Sequence, residues 1–217
     1  MDYSELKYEN VDFESDQDKK LPQPPLVKER MREESIDLPG NFKDLLIQTD
    51  FLNIINTRHS SRVYTNEAMS LLELSYMLWT CQGVKELRGK HYATLRTVPS
   101  GGARHGFELY FVCQNVEGLE SGTYHYLPME HKIEFLNPLN QVKDVLSASL
   151  CDQAWALKAN VIFYFSYIPY RTEHRCTSYT KQTTLKLSPV KQGHCLKGQC
   201  LFCYSEVEPS FYSGSQR

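Results

Sequence analysis

The sequence predicts an α+β fold, because helical and strand periodicities both occur along one chain. Apolar residues recur at helical spacing in residues 47–56 and 70–82, whereas residues 107–114 alternate with the period of two that a strand requires. A continuous apolar run at residues 161–168 is typical of a buried strand. Helices and strands mixed in this order indicate an α+β domain.

Two helices are predicted before the first long strand. The earlier one carries Ile47, Phe51, Ile54 and Ile55 and ends at the polar run of residues 57–62. The later one opens on Ser-Leu-Leu-Glu at residues 70–73, the form of a capping box, and Gly83 is expected to end it in the left-handed conformation. Its apolar face predicts a core helix with a buried thiol, and consists of Leu74, Met77, Leu78 and Cys81.

Strands dominate the second half of the predicted domain. Residues 107–113 place Phe107, Leu109, Phe111 and Cys113 on one face. A hairpin is expected from residues 122–126 and 132–135, around the turn at 127–130. A further helix is indicated by the spacing of Leu139, Val142, Val145 and Leu146.

Composition and charge exclude several classes of function. The 217 residues are 41% hydrophobic, and 24 Lys and Arg against 26 Asp and Glu leave a net charge of −2, so nucleic acid and anionic membranes are not expected partners. The longest apolar run is too short to cross a bilayer, and the acidic start lacks the features of a signal peptide, which predicts a cytoplasmic protein. Seven cysteines without a secretion signal indicate reduced thiols rather than a disulfide framework.

Charge divides the chain into three predicted parts. Residues 1–40 carry a net charge of −5 and form an acidic, proline-containing arm, residues 41–175 form the domain, and residues 176–217 form a basic, cysteine-containing tail. The sequence Leu-Pro-Gln-Pro-Pro-Leu at residues 21–26 favours extended backbone. We interpret the arm as a strap over the domain or over a partner subunit; a proline-rich recognition ligand is the alternative.

Two short segments carry polar groups that packing alone does not explain. Arg-His-Ser-Ser-Arg at residues 58–62 can present guanidinium and hydroxyl donors to a phosphate, although an exposed arginine pair with a serine N-cap is the alternative. Residues 96–105 contain Pro-Ser-Gly-Gly, whose glycines permit positive φ and close approach to a planar or anionic ligand. Neither a Walker loop nor a Gly-x-Gly-x-x-Gly turn is present, which argues against nucleoside triphosphate and Rossmann dinucleotide sites.

These segments resemble motifs of the flavin-dependent nitroreductase superfamily. Arg-His-Ser-Ser-Arg-Val-Tyr at residues 58–64 is similar to its Arg-Arg-Ser-x-Arg-x-Phe/Tyr segment. Arg-Thr-Val-Pro-Ser-Gly-Gly-Ala-Arg-His-Gly-Phe-Glu at residues 96–108 closely resembles the Pro-Ser-x-Gly-Ala-Arg-His-Pro-Phe-Glu block of the SagB-type branch. Val-Glu-Gly-Leu-Glu-Ser-Gly-Thr-Tyr-His-Tyr at residues 116–126 is similar to a hairpin of that branch. The resemblance covers about residues 20–175.

The resemblance implies an FMN-dependent oxidoreductase with the nitroreductase fold, a central and mostly antiparallel sheet flanked by helices. FMN would carry out the electron and hydride chemistry, with NAD(P)H as a possible electron donor and a small molecule or a modified peptide as substrate. The resemblance also implies a homodimer, in which one subunit binds the FMN phosphate and ribityl chain while its partner covers the ring. The phosphate residues would be Arg58, His59, Ser60 and Arg62, and the ring residues Pro99, Ser100, Gly101 and Gly102.

The resemblance does not identify a catalytic residue. Tyr170, Arg171 and Glu173 follow the apolar run, where related proteins place a substrate-facing wall, but a surface ion pair is an equal alternative. The adjacent Lys-Tyr pair expected of azoline-oxidising members occurs as Lys7-Tyr8, within the arm. Azoline oxidation therefore lacks support residue by residue.

The last 42 residues depart from the family pattern. No counterpart of its buried helix, Gly-Leu-Gly segment and final strand is recognisable after residue 175, so a frame-altered ending and an incomplete fold are expected. A catalytically defective family member is one alternative function. A zinc-binding tail is a weaker one, because Cys176, His194 and Cys195 accompany a single Cys-x-x-Cys at Cys200 and Cys203, and no metal residue is therefore assigned.

Overall fold

A computed structural model describes residues 14–47, 49–175 and 200–203. The main sheet has six strands in the order β1-β6-β5-β4-β7-β8, antiparallel except for the parallel pair β7 and β8. These strands are β1 (Ile36–Asp37), β4 (Phe107–Cys113), β5 (Gly122–Leu127), β6 (Lys132–Pro138), β7 (Val161–Tyr167) and β8 (Cys200–Cys203). A separate hairpin pairs β2 (Val84–Arg88) with β3 (Ala93–Arg96). The α+β class and the mostly antiparallel sheet are confirmed.

Helices flank the sheet, and the described residues contain four α-helices, namely α1 (Phe51–Thr57), α2 (Leu71–Gln82), α3 (Lys143–Ser149) and α4 (Pro169–Glu173). The predicted capping box at the start of α2 is present: Ser70 Oγ accepts from Glu73 N at 3.2 Å, and Ser70 N donates to Glu73 Oε2 at 2.8 Å. No helix in these ranges is long and apolar enough to cross a membrane.

The expectation that Gly83 ends α2 in the left-handed conformation is wrong. Gly83 has φ −56° and ψ 133°, which is extended backbone open to other residues. Glycine is needed here for close approach instead, because a Cβ at this position would lie 2.4 Å from Cδ1 of Trp79.

The sheet is buried on both faces, although strand alternation distinguishes them. On one face, α2 packs over a core formed by Leu109, Phe111 and Cys113 of β4 together with Tyr124, Tyr126 and Phe163. Phe107, predicted on the same face of β4, is 40% exposed. On the other face, α3 covers a smaller cluster around Val112 and Ile162. The rest of this second face, near Glu108, is polar, and that part positions the candidate site.

The strap expected from the proline-rich arm crosses this polar part of the sheet within the same chain. Its polypeptide is held mainly by hydrogen bonds, since every side chain of residues 16–37 is exposed or only half-buried. Gln17 N donates to His174 O at 2.8 Å at one end, and Arg32 Nη2 donates to Leu136 O at 3.0 Å at the other.

The chain also contains a terminal strand that the sequence pattern did not indicate. Strand β8 pairs with β7 in parallel, with Cys200 opposite Val161. Lys7-Tyr8 and the cysteine and histidine positions at 176, 194 and 195 lie outside the described residues.

Candidate functional site

The predicted phosphate segment lies on the surface where α1 ends. Asp50 caps the helix by accepting from Asn53 N at 3.0 Å, and the backbone becomes extended at Arg58. Arg58, His59, Ser60 and Arg62 are all exposed. Arg58 makes no ion pair with any residue of the described ranges, whereas the Arg62 guanidinium lies 5.4 Å from the centre of the Trp155 ring. The segment therefore presents cationic and hydroxyl groups at the surface.

Large exposed apolar side chains precede and follow this polar segment in the chain. Phe51 is 73% exposed, Leu52 68% and Ile55 54%, and Val63 follows the segment with 87% exposed. Several large exposed apolar side chains on one short helix are typical of an interaction surface. Within the described chain, α1 thus lacks the partner that its apolar residues require.

The predicted ring segment forms a tight turn at residues 99–103. Gly102 has φ +63°, and Arg175 Nη1 donates to its carbonyl oxygen at 3.0 Å. Ser100 Oγ accepts from His105 N at 2.9 Å. A Cβ at Gly102 would lie 2.8 Å from Arg175 Nη1, whereas a Cβ at Gly101 would meet nothing within 4 Å. The requirement for positive φ therefore belongs to Gly102, and Gly101 borders free space.

The structure does not bring the two predicted segments into contact. No hydrogen bond or ion pair in the described part of the chain joins residues 58–62 to residues 99–102. Each segment instead presents its groups outward. One copy of the chain therefore holds two separate halves of the predicted site.

A buried ionic network, which the sequence analysis missed, lies on the polar part of the sheet. Glu108 in β4 forms an ion pair with Arg171 in α4, and both side chains are at least 96% buried. His125 in β5 lies between two carboxylates, with Nδ1 2.7 Å from Glu134 Oε1 and Nε2 3.5 Å from Glu108 Oε2. Arg96 Nη1 donates to Gln82 Oε1 at 2.9 Å at the border of this network.

The strap completes the network with backbone donors. Lys28 N donates to Glu108 Oε1 at 2.9 Å, while Met31 N and Arg32 N donate to Glu134 Oε2 at 2.9 and 2.7 Å. Arg96 Nη2 in turn donates to Leu26 O at 2.9 Å. At these four contacts the strap is bound through its backbone.

Burial and neighbouring charges together lower the pKa values of three side chains in this region. Burial alone would raise the pKa of Glu108, but the hydrogen bond from His125 and the charge of Arg171 lower it below its ordinary value. Burial lowers the pKa of Arg96 to about 10, against the opposing effect of Glu108. Burial and the nearby Arg96 charge lower the pKa of His105 to about 4, so this imidazole is neutral at pH 7.

Strand register contained a signal for the network that sequence spacing does not reveal. His125 lies opposite Tyr110 on β4 and opposite Glu134 on β6, which places polar residues of three adjacent strands on one face. Of the two alternatives for residues 170–173, the surface ion pair is wrong for Arg171, because this side chain is buried and its partner is Glu108 rather than Glu173. Tyr170 is exposed and donates to Asp16 Oδ2 at 3.1 Å.

A serine and histidine pair elsewhere has a structural role. Ser75 Oγ donates to the backbone oxygen of Pro39 at 2.5 Å and lies 2.8 Å from His131 Nε2. Because the hydroxyl proton is directed to Pro39, the Ser75 oxygen must accept from His131. His131 Nδ1 can then accept from Tyr126 OH at 2.8 Å. The imidazole therefore does not act as a base toward this serine.

The thiols of the described domain differ sharply in predicted reactivity. Burial raises the pKa of Cys81 to about 12 and that of Cys113 to about 11, whereas Cys151 is exposed. We expect a maleimide reagent at pH 7 to label Cys151 in the folded protein and to leave Cys81 and Cys113 unmodified. Peptide mass mapping measures this, and labelling after denaturation is the control. Modification of Cys81 at the rate of Cys151 would contradict the packing of α2.

Comparison with known proteins gives one curated relative and several structural neighbours. No protein-family model matches the chain. The chain is 37% identical over 81 residues to a protein of Methanocaldococcus jannaschii named "putative nitroreductase". The match covers 37% of this chain and 38% of that protein, so the chain matches well under half of the length of its curated relative.

Solved structures resemble the fold more broadly. A crystal structure from Anabaena variabilis, described as a "putative nitroreductase", has a TM-score of 0.50 and 22% identity, covering 70% of this chain and 28% of that one. A second, from Ralstonia eutropha and described in the same words, has 26% identity but a TM-score of 0.38, covering 54% and 53% of the two chains. Together with the sheet described above, the first comparison shows that the chain has a nitroreductase-like fold, and its sequence resembles that of a nitroreductase-family oxidoreductase.

Proposed function

We propose that this chain is an FMN-dependent oxidoreductase of the nitroreductase type. The observation that carries the proposal is the exposed cluster of arginine and hydroxyl groups at the end of α1, beside uncovered apolar side chains. Such a cluster offers charge-assisted hydrogen bonds to a phosphate, which an ordinary solvated loop does not need. The matches cover only part of the length of each relative. The proposed activity therefore rests on this site and not on the names of the relatives.

The residues present fit a phosphate-bearing flavin. Arg58 and Arg62 would bind the phosphate, while His59 and Ser60 would donate to the phosphate or the ribityl hydroxyls. The turn at Pro99–Gly102 would lie against the ring, because the free space at Gly101 admits a planar group and Ser100 and Arg175 hold the turn in place. The cofactor supplies the electron and hydride transfer, and these residues bind and orient it.

A second copy of the chain would complete the site. The two segments do not meet within one copy, and the apolar residues of α1 need a cover. A homodimer in which α1 packs against the partner would satisfy both requirements. In this arrangement Arg58 and Arg62 of one subunit and the turn at Gly101 of the other would enclose each flavin, and dimerisation and flavin binding would stabilise one another by mass action.

The resemblance to the SagB-type branch implies an electron donor and an acceptor for the flavin. We propose NAD(P)H as the donor and a small molecule or modified peptide as the acceptor. The two would enter the same pocket in turn, in a ping-pong mechanism. The buried Arg171 would help to maintain the conformation of the turn, since its Nη1 donates to the backbone oxygen of His105, just after the turn, at 3.2 Å.

A complementation experiment tests the shared site. The double variant Arg58→Ala/Arg62→Ala loses the phosphate donors, and Gly101→Val fills the free space without backbone strain because its φ lies outside the left-handed region. We expect neither variant alone to bind FMN. In a heterodimer of the two, one site carries both defects and the other carries none, so flavin binding should return at one site per heterodimer.

The outcome distinguishes the possible arrangements. Co-refolded variants, separated by two affinity tags, are measured by flavin absorbance at equal protein concentration. Restored binding supports a site shared between subunits. If the mixture stays colourless while the native protein binds FMN, both segments belong to the same subunit's site, and the shared arrangement is wrong. A native protein that does not bind FMN would overturn the proposed function itself.

A further inference from the structure

Arg104 carries two hydrogen-bond donors that no group satisfies. Its side chain is buried, with 4% of the residue exposed, and Nε and Nη2 lack a partner within the described chain. Buried polar atoms almost always have a partner, and the cost of leaving a charged donor unpaired is large. This residue has no role in the proposed flavin site. The unpaired donors therefore call for a separate explanation.

The remaining contacts of Arg104 hold its guanidinium in one orientation. The guanidinium carbon lies 4.6 Å from the centre of the Tyr92 ring, and Nη1 donates to Gln23 Oε1 at 2.7 Å. The unpaired Nη2 lies beside Nη1 at the end of the planar guanidinium. Together these two nitrogens match the spacing of two carboxylate oxygens, which bind arginine in a bidentate manner.

Gln23 also lines a groove on the protein surface. It has a volume of about 450 Å³, within the size range of small-molecule sites. Most of its lining comes from the strap, and Met129 adds apolar surface. Its polar lining residues are Gln23, Glu29 and His91. The strap residues that line it are Gln23, Pro24, Pro25, Leu26, Val27 and Glu29. The groove thus offers a mainly apolar surface that ends at the side chain covering Arg104.

Gln23 has the contacts expected of a movable cover. Its Oε1 occupies one donor of Arg104, and its Nε2 donates to His91 O at 3.4 Å, the long end of the range for a hydrogen bond. Rotation of this half-buried side chain would break that weak bond and open Arg104 to the groove. A neutral amide oxygen would then be exchanged for a charged acceptor, which binds a guanidinium more strongly.

We propose that Arg104 anchors a second binding site, for a small monocarboxylate with an apolar body. The carboxylate would replace Gln23 Oε1 on Nη1 and accept from the unpaired Nη2 as well, and the apolar body would lie along the strap toward Met129. A single negative charge is favoured because one guanidinium balances it and Glu29 repels further negative charge on the ligand. The strap would serve as a wall of this site as well as a cover of the ionic network.

Hexanoate, with 1-hexanol as its neutral counterpart, tests the proposal on the full-length protein. Binding is measured by saturation-transfer NMR titration. We expect saturable binding of hexanoate, a loss of at least about tenfold in affinity in Arg104→Gln because a charged hydrogen-bonded pair is removed, and little change in Arg88→Gln, an exposed arginine used as the control. Gln23→Ala should bind hexanoate several-fold more tightly, since the competing acceptor is gone.

Three results would overturn the proposal. The first is an absence of saturable hexanoate binding to the native protein and to Gln23→Ala, in which case water satisfies the donors of Arg104. The second is equal hexanoate affinity in Arg104→Gln and native protein. The third is equal affinity for hexanoate and 1-hexanol, which would indicate apolar binding without an anion site. Circular dichroism and the thermal midpoint of each variant verify that it is folded, and Gln23→Ala tests the site with Arg104 intact.

Discussion

Arg171→Met is expected to lower the free energy of unfolding by about 3–5 kcal/mol, the range observed when one member of a buried ion pair is removed. The substitution leaves Glu108 as a buried carboxylate without its cation and removes the donor to His105 O. The cost comes mainly from the charge left behind and not from the lost attraction. Denaturant unfolding followed by circular dichroism measures the change at pH 7.

Two further variants show whether burial is the cause. Arg30→Met removes one member of the surface pair with Glu130, whose side chains are 36% and 43% exposed, and should cost less than about 1 kcal/mol. The double variant Glu108→Gln/Arg171→Met removes both charges and should recover part of the stability lost in Arg171→Met. Equal effects of Arg171→Met and Arg30→Met would contradict the buried network.

The pH dependence of this effect has a definite sign. Because the pKa of Glu108 is lower in the folded protein than in the unfolded chain, its contribution to stability is complete above the unfolded value of about 4.5. That contribution decreases as the pH falls through the lowered pKa. The stability difference between native protein and Glu108→Gln should therefore shrink in acid.

Arg58→Ala and Arg62→Ala are each expected to weaken FMN binding by roughly 1.5–3 kcal/mol, the value of a hydrogen bond to a charged group. This corresponds to about a 10- to 150-fold increase in Kd for each variant. Arg62 also lies over the Trp155 ring, so its replacement should release that tryptophan as well. Quenching of flavin fluorescence on titration with protein measures the Kd.

The matched control for these variants is Arg88→Ala. Arg88 is an exposed arginine in β2, away from residues 58–62 in sequence, and its removal changes the net charge by the same amount. We expect its Kd for FMN to equal that of native protein. Unchanged binding in Arg58→Ala and Arg62→Ala would contradict the phosphate assignment. Preferential binding of FAD over FMN would contradict the choice of cofactor, because no adenine-binding segment was found.

Regular elements were predictable because their signals are local. The capping box and apolar face of α2, the alternation of β4 and the apolar run of β7 each depend on neighbouring residues. All four predictions are confirmed. The prediction of a left-handed Gly83 failed because the constraint on this residue is the close approach of the Trp79 side chain and not its own φ. The strap's path was expected, but its docking to this chain rather than to a partner could not be inferred from proline content.

The buried network was beyond sequence reasoning because it joins residues far apart in the chain. Glu108, His125 and Glu134 meet only through strand register, and Arg171 arrives from a helix more than sixty positions after Glu108. The residue types were misleading too, since arginine and glutamate side chains are usually exposed to solvent. The exposed segment at residues 58–62 was easier to identify from the sequence, because its high density of hydrogen-bond donors is visible without knowledge of the fold. Its role stays a prediction.

The strap also constrains the order in which a newly made chain can fold. Lys28 precedes its acceptor Glu108 by 80 residues, and Met31 precedes Glu134 by 103 residues. At synthesis rates of about 5–20 residues per second, the strap therefore leaves the ribosome roughly 5–20 s before Glu134. Until Glu134 emerges, the strap cannot complete these contacts, so the nascent domain exposes Glu108 and the polar face of the sheet around it, which the mature protein conceals. Closure of the strap is consequently a late step in folding, and chaperone binding to the nascent chain should decline only once β6 has emerged.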